Sequence, residues 1–181
     1  MAAAVPEVRA AFRVDRSRDE YSSAISGKTA SLMATSCRIG ALTGGLDRAQ
    51  VDAFTEFGRC FGMIFQVRDD ILDVVGTEAD LGKPAGQDIA EGIYTLPVLV
   101  TLAAPVHGPE LRDLLGQPLG VPEQEKARTI VAGSGAIAAS VQVARSYAEE
   151  AAAAAHAGPS PRLADALARL AHSMVDGLPT T

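Results

Sequence analysis

Between Asp47 and Val75 the chain runs without a Gly-Pro break, and its middle, FGRCFGMIFQV from Phe57 to Val67, is apolar on nearly every side. A helix apolar all round has to be surrounded by other helices, so this segment demands a helical bundle. Asp47 with Gln50 opens it as a capping box, and its first half is amphipathic through Val51, Phe54 and Phe57. Gly58 and Gly62, one turn apart, leave room for a neighbour to approach closely. Arg59 and Gln66 disfavour a membrane dimer face, so that neighbour is expected to be an ordinary packed helix.

Elsewhere β-branched and aromatic residues never alternate for long with polar ones, while apolar residues recur at three- and four-residue spacing. The expected architecture is all-α. Ser17 with Glu20 makes another capping box, from which helix can run to Thr43 before Gly44 and Gly45 end it. Thr95 is expected to cap a short helix with Pro97 in its first turn. Further helices are expected over 109–115, 122–133, 135–157 and 161–176, the last started by Ser160 and Pro161. Residues 1–16 read as an uneven, Arg-bearing leader that can be disordered, and 76–92 as a loop too polar and broken for a long helix. With 33 Ala and 4% aromatic residues, the core must be built from small and aliphatic side chains.

A net charge of -6 with 13 Arg and 3 Lys dispersed along the chain argues against a nucleic-acid surface. The longest uncharged stretch, Gly92 to Gly108, carries Pro97 and Pro105 and reads poorly as a membrane span. The start, Met1-Ala-Ala-Ala-Val, lacks a basic segment before a long apolar run, and Cys37 and Cys60 lack metal-ligand spacing. A cytoplasmic protein with free thiols is expected. His107, His156 and His172 have no partner at ligand spacing, and GKTA lacks the preceding glycine spacing of a nucleotide loop.

The long helix ends in QVRDDILD, where Asp69 and Asp73 share a face with Asp70 beside them. Carboxylates there repel one another and oppose the helix dipole, so something should compensate them. A solvated acidic helix end is one reading. The other is a hard divalent cation: Mg²⁺ takes oxygen ligands and is commonly held by one or two carboxylates plus substrate phosphates. Two of the three lysines, Lys28 in GKTA and Lys83 in GKP, fall in small-residue contexts suited to reaching a phosphate oxygen.

Taken in order, GKTASL at 27–32, FQVRDDILDVVG at 65–76, LGKPAGQD at 81–88 and EGIYTLPVL at 91–99 resemble the C-terminal half of trans-isoprenyl diphosphate synthases, the polyprenyl synthetases. ARTIVAGSGAI at 127–137 fits as well, and the resemblance runs from about Asp19 to Asp176. It implies a partial isoprenoid-synthase-type bundle over 17–181. It also implies that Asp69, Asp70 and Asp73 are the second aspartate-rich motif, with Asp69 the direct Mg²⁺ ligand and Asp88 near the metal shell. Lys28 and Lys83 match lysines that contact an allylic diphosphate; Thr29 and Gln66 complete the implied catalytic set. The implied chemistry is prenyl transfer from that diphosphate to isopentenyl diphosphate.

Two departures qualify the resemblance. Ile93 stands where the family commonly has lysine, and no second DDxxD or DDxxxxD cluster occurs, so the first aspartate-rich motif and its neighbouring basic residues have no counterpart here. Isopentenyl diphosphate is therefore expected to bind only if the missing half is supplied. Losing one preorganised charge stabiliser costs about 3 kcal/mol, and here a whole metal-binding face lacks its residues. The expectation is a prenyltransferase chain that needs a homo- or hetero-oligomeric partner. The alternative is a noncatalytic or truncated subunit that binds an intact synthase. In either case the apolar helix from Phe57 to Val67, normally packed against helices of the other half, should leave an apolar face exposed and drive self-association or partner binding.

Overall fold

Both capping boxes form, and they fix where the first helices begin. Ser17 Oγ accepts the Glu20 amide at 3.1 Å while the Glu20 carboxylate accepts the Ser17 N–H at 2.8 Å. Asp47 accepts the Gln50 amide at 2.9 Å, and Gln50 returns a carbonyl to the Asp47 N–H at 3.3 Å. The computed structural model describes residues 11–77 and 85–179. Among them the regular elements are all helical: α1 Arg18–Ile25, a π-helical turn Ser26–Ala30, α2 Ser31–Thr43, α3 Arg48–Val75, α4 Gln87–Ala90, α5 Leu96–Leu102, α6 Gly108–Leu114, α7 Val121–Gly133, α8 Ala136–Ala155 and α9 Pro161–Asp176.

The expected single helix up to Thr43 is interrupted. At the π turn the Ser31 N–H reaches back five residues to the Ser26 carbonyl, so one extra residue is accommodated without ending the helix. Gly44 and Gly45 then stop α2 as expected, Gly45 at φ +71°. Ser160 caps α9 by accepting the Leu163 N–H at 3.3 Å. Thr95 stands at the N-cap of α5 without a side-chain capping bond. The reason is local: Pro97 removes one of the two amides such a cap would use.

The chain divides into two compact units, each assembled from separated stretches of sequence. One unit takes in the described residues up to Ala24 and those from Asp69 to Val141; the other takes in Ile25–Arg68 and Gln142–Leu178. The first buries Tyr21, Ile71, Ile89, Tyr94, Val98, Leu111 and Ile137. In it, residues 12–16 are tied to the stretch from Gly92 to Tyr94. Phe12, at φ +61°, donates its amide to the Gly92 carbonyl at 2.8 Å, and the Arg16 guanidinium donates to the Tyr94 carbonyl at 3.2 Å.

The second unit buries Phe57, Cys60, Met63, Ile64 and Val67 of α3 together with Ala144, Ala148, Ala151 and Ala155 of α8, so the Ala-rich run is a packing surface. The paired glycines act as their spacing suggests. A Cβ on Gly58 would lie 2.6 Å from the Met33 carbonyl oxygen, and one on Gly62 would lie 2.5 Å from Ala30 Cα. Only the absence of a side chain at both positions lets α2 and the π turn lie this close to α3. No helix among the described residues is long and apolar enough to cross a membrane.

Candidate functional site

The three aspartates that end α3 occupy different environments. Asp69 is exposed, whereas Asp70 and Asp73 are only 4% and 2% accessible. Asp70 accepts the Tyr21 hydroxyl from α1 and faces the backbone N–H of Leu96 at the start of α5. Burial pushes its carboxyl up to about 7, and the negative charges of Asp88 and Asp69 add to that rise while the Tyr21 hydroxyl and the Leu96 amide oppose it. The Tyr21 ring is itself held, with the Arg16 guanidinium 5.7 Å from its centre.

Asp73 is tied to the start of α4. Its carboxylate accepts the Asp88 N–H at 3.2 Å and its carbonyl accepts the Gly86 N–H at 2.8 Å. Gly86, at φ +76°, is the left-handed N-cap of α4, and it brings Asp88 into that helix's first turn. Sequence spacing implied that the acidic end of α3 needs compensation. Part of that role falls to Arg128 on α7, whose guanidinium donates to the carbonyls of Val74 and Gly76 at 3.0 and 3.2 Å. Cationic donors on the last carbonyls of a helix offset the same dipole that the aspartates oppose.

In the other unit, the π turn presents Lys28 exposed and Thr29 half-buried. The Thr29 hydroxyl donates to the Gln66 side-chain carbonyl, which leaves the Gln66 amide nitrogen available as a donor. This pairing depends on the close approach that Gly62 allows. Lys83 lies outside the described residues.

A family model described as polyprenyl synthetase matches residues 5–133. The chain belongs to the polyprenyl synthetase family. It is 47% identical over 90 residues to the short chain isoprenyl diphosphate synthase of Methanothermobacter thermautotrophicus, covering 50% of this chain and 28% of that one. It is 33% identical over 167 residues to heptaprenyl diphosphate synthase component 2 of Bacillus subtilis, covering 92% of this chain and 48% of that one. The polyprenyl synthase of Caulobacter crescentus, solved with calcium and isoprenyl diphosphate, superposes with a TM-score of 0.89 at 32% identity, covering 98% of this chain and 55% of that one. The chain thus spans about half the length, or less, of these relatives.

Two features of this polyprenyl synthetase chain escaped the sequence. Arg128 was legible only as part of the 127–137 stretch, since nothing in its own neighbourhood tells that it reaches the end of α3. Tyr21 carried no signal beyond its helix, because its partner Asp70 lies 49 residues away. Among the described residues, the set of three metal-capable groups whose ligand atoms lie within 4.8 Å of one another is Glu56, Cys60 and Glu150, not the aspartates. Arg59 already occupies that cluster, bonding Glu56 at 2.6 Å and Glu150 at 3.1 Å. Its guanidinium holds Glu56 below the usual carboxylate range, and burial pushes the Cys60 thiol up to about 12.

Proposed function

We propose that this chain is a polyprenyl diphosphate synthase polypeptide that carries the allylic-diphosphate half of the reaction and works with a partner that supplies the other half. The observation that carries this reading is the state of the aspartate motif. One carboxylate, on Asp69, is exposed to a ligand, and the two beside it are fixed by protein donors. The donor set is carboxylate oxygen alone, which fits a hard cation such as Mg²⁺. Since the aspartates do not gather three oxygens closely, an ion at Asp69, with Asp70, Asp73 and Asp88 around it, would draw its remaining ligands from water and diphosphate. Bound there, Mg²⁺ would neutralise the diphosphate as it leaves.

On the allylic-diphosphate side the chain's own residues supply further donors, and the partner supplies the rest. Lys28 and Lys83 are each proposed to offer a point charge to diphosphate oxygens, and the Gln66 amide, fixed by Thr29, to offer a hydrogen-bond donor. The allylic carbon–oxygen bond breaks, the double bond of isopentenyl diphosphate attacks the resulting cation, and a proton leaves the adduct. Apolar side chains exclude water while the cation exists. Residues 17–181 are proposed to correspond to the C-terminal half of the synthase helical domain. A cytoplasmic setting is supported by the two free cysteines, Cys37 and Cys60.

A noncatalytic subunit is the weaker reading, because a purely structural role needs neither an exposed Asp69 nor a Thr29–Gln66 pair. Calorimetric titration with an allylic diphosphate analogue, with and without Mg²⁺, tests the proposal. Metal-dependent binding lost in Asp69→Ala and weakened in Asp73→Ala is expected; equal binding in all three proteins would refute the site.

A further inference from the structure

We infer that Asp70 is the anchor of the aspartate motif rather than one of its metal ligands, and that Tyr21 is the positioning residue that holds it. The inference rests on the functional reading above, and it assigns the motif's members different tasks. Two helices meet at the Asp70 carboxylate, α1 through the Tyr21 hydroxyl and α3 itself, and the Leu96 amide at the start of α5 faces the same carboxylate. All three partners are buried, Tyr21 at 2%, Asp70 at 4% and Leu96 at 5% accessible.

The anchor is braced from behind. Arg16 lies over the Tyr21 ring and donates to the carbonyl of Tyr94, two residues before Leu96. The capping box of Ser17 and Glu20 fixes the turn of α1 from which Tyr21 projects. Adjacent residues on an α-helix point about 100° apart, so a carboxylate locked inward at 70 sets the outward direction at 69. A swing of Asp70 to meet an ion would break its hydrogen bond to Tyr21. Asp69 needs no such rearrangement, being exposed already.

The test is titration of the full-length chain with MgCl₂ and inorganic pyrophosphate, comparing wild type with Tyr21→Phe, Asp70→Asn, Asp69→Asn and a core control, Val98→Ala, from the same unit. Outer-sphere groups that orient a ligand typically matter by 10–100-fold in metal affinity. Tyr21→Phe should therefore raise the Mg²⁺ concentration for half-saturation by about tenfold. Asp70→Asn keeps an acceptor oxygen for Tyr21 and should weaken binding no more than Tyr21→Phe does, while Asp69→Asn removes it. Val98→Ala should lower the melting temperature without moving the Mg²⁺ requirement. Loss of binding in Asp70→Asn as complete as in Asp69→Asn would make Asp70 a ligand and overturn the inference. So would a Tyr21→Phe titration identical to wild type, or a shift of equal size in Val98→Ala. Absence of binding by the wild-type chain is a separate outcome: it overturns the functional reading, and this inference with it.

Discussion

Asp70 is an acid that holds its proton more tightly in the folded chain than in the unfolded one. An unfolded aspartate titrates near 4, whereas burial holds this one at about 7, so between those values the folded chain keeps a proton that the unfolded chain has released. Its contribution to stability is complete below the unfolded value and is lost as pH rises through the folded one. In urea titrations without metal, the midpoint gap between wild type and Asp70→Asn should shift in favour of the variant from pH 5 to pH 8. A gap constant across that range would contradict the assignment. The cysteines give a second expectation, since Cys60 is fully buried with its thiol pushed to about 12 and Cys37 is only partly buried. One thiol should react with a disulfide reagent in the native chain at pH 8, and Cys37→Ser should abolish that reaction. The chemistry-bearing residue types could be read from the chain, because DDILD and GKTA announce themselves locally. Which aspartate turns inward could not, since its partner Tyr21 lies far off in sequence.

At the level of helices, local rules carried most of the information. Capping boxes and glycine stops depend on residues within one turn of each other, so the starts of α1, α3 and α9 and the end of α2 were all legible. The π turn was not: it is set by packing of Ala30 against Gly62, a contact across 32 positions that has no local signature. Gly62→Ala should therefore be costly out of proportion to one methyl group. The new Cβ meets backbone, not a movable side chain, and overpacking of this kind destabilises by about 1–3 kcal/mol. Chemical denaturation should show that loss, with Gly133→Ala, where a Cβ meets nothing within 4 Å, as the contrasting variant. Removing the α9 cap with Ser160→Ala should cost about 1 kcal/mol in the same measurement.

For the whole molecule, the sequence led to the expectation of an apolar face exposed on the helix from Phe57 to Val67, but Phe57, Cys60, Met63, Ile64 and Val67 are buried and the exposed large side chains of the unit built from Ile25–Arg68 and Gln142–Leu178 lie mainly on α2. Leu32, Ile39 and Leu42 line one stripe of α2 at 67%, 56% and 56% accessibility, and Phe65 of α3 is 43% accessible. Sedimentation velocity across a range of concentrations should show association, reduced by Leu32→Lys with Ile39→Lys; a single monomeric species at all concentrations would contradict this. The composition of each unit has a temporal consequence as well. Because each unit is closed by residues on the far side of the other's sequence, neither can finish on the ribosome as its own stretch emerges. At about 5–20 residues per second, roughly 4–15 s separate synthesis of the apolar end of α3 from arrival of the first α8 residues that complete its unit. During that interval one of the nascent chain's most hydrophobic segments has none of its α8 partners to pack against.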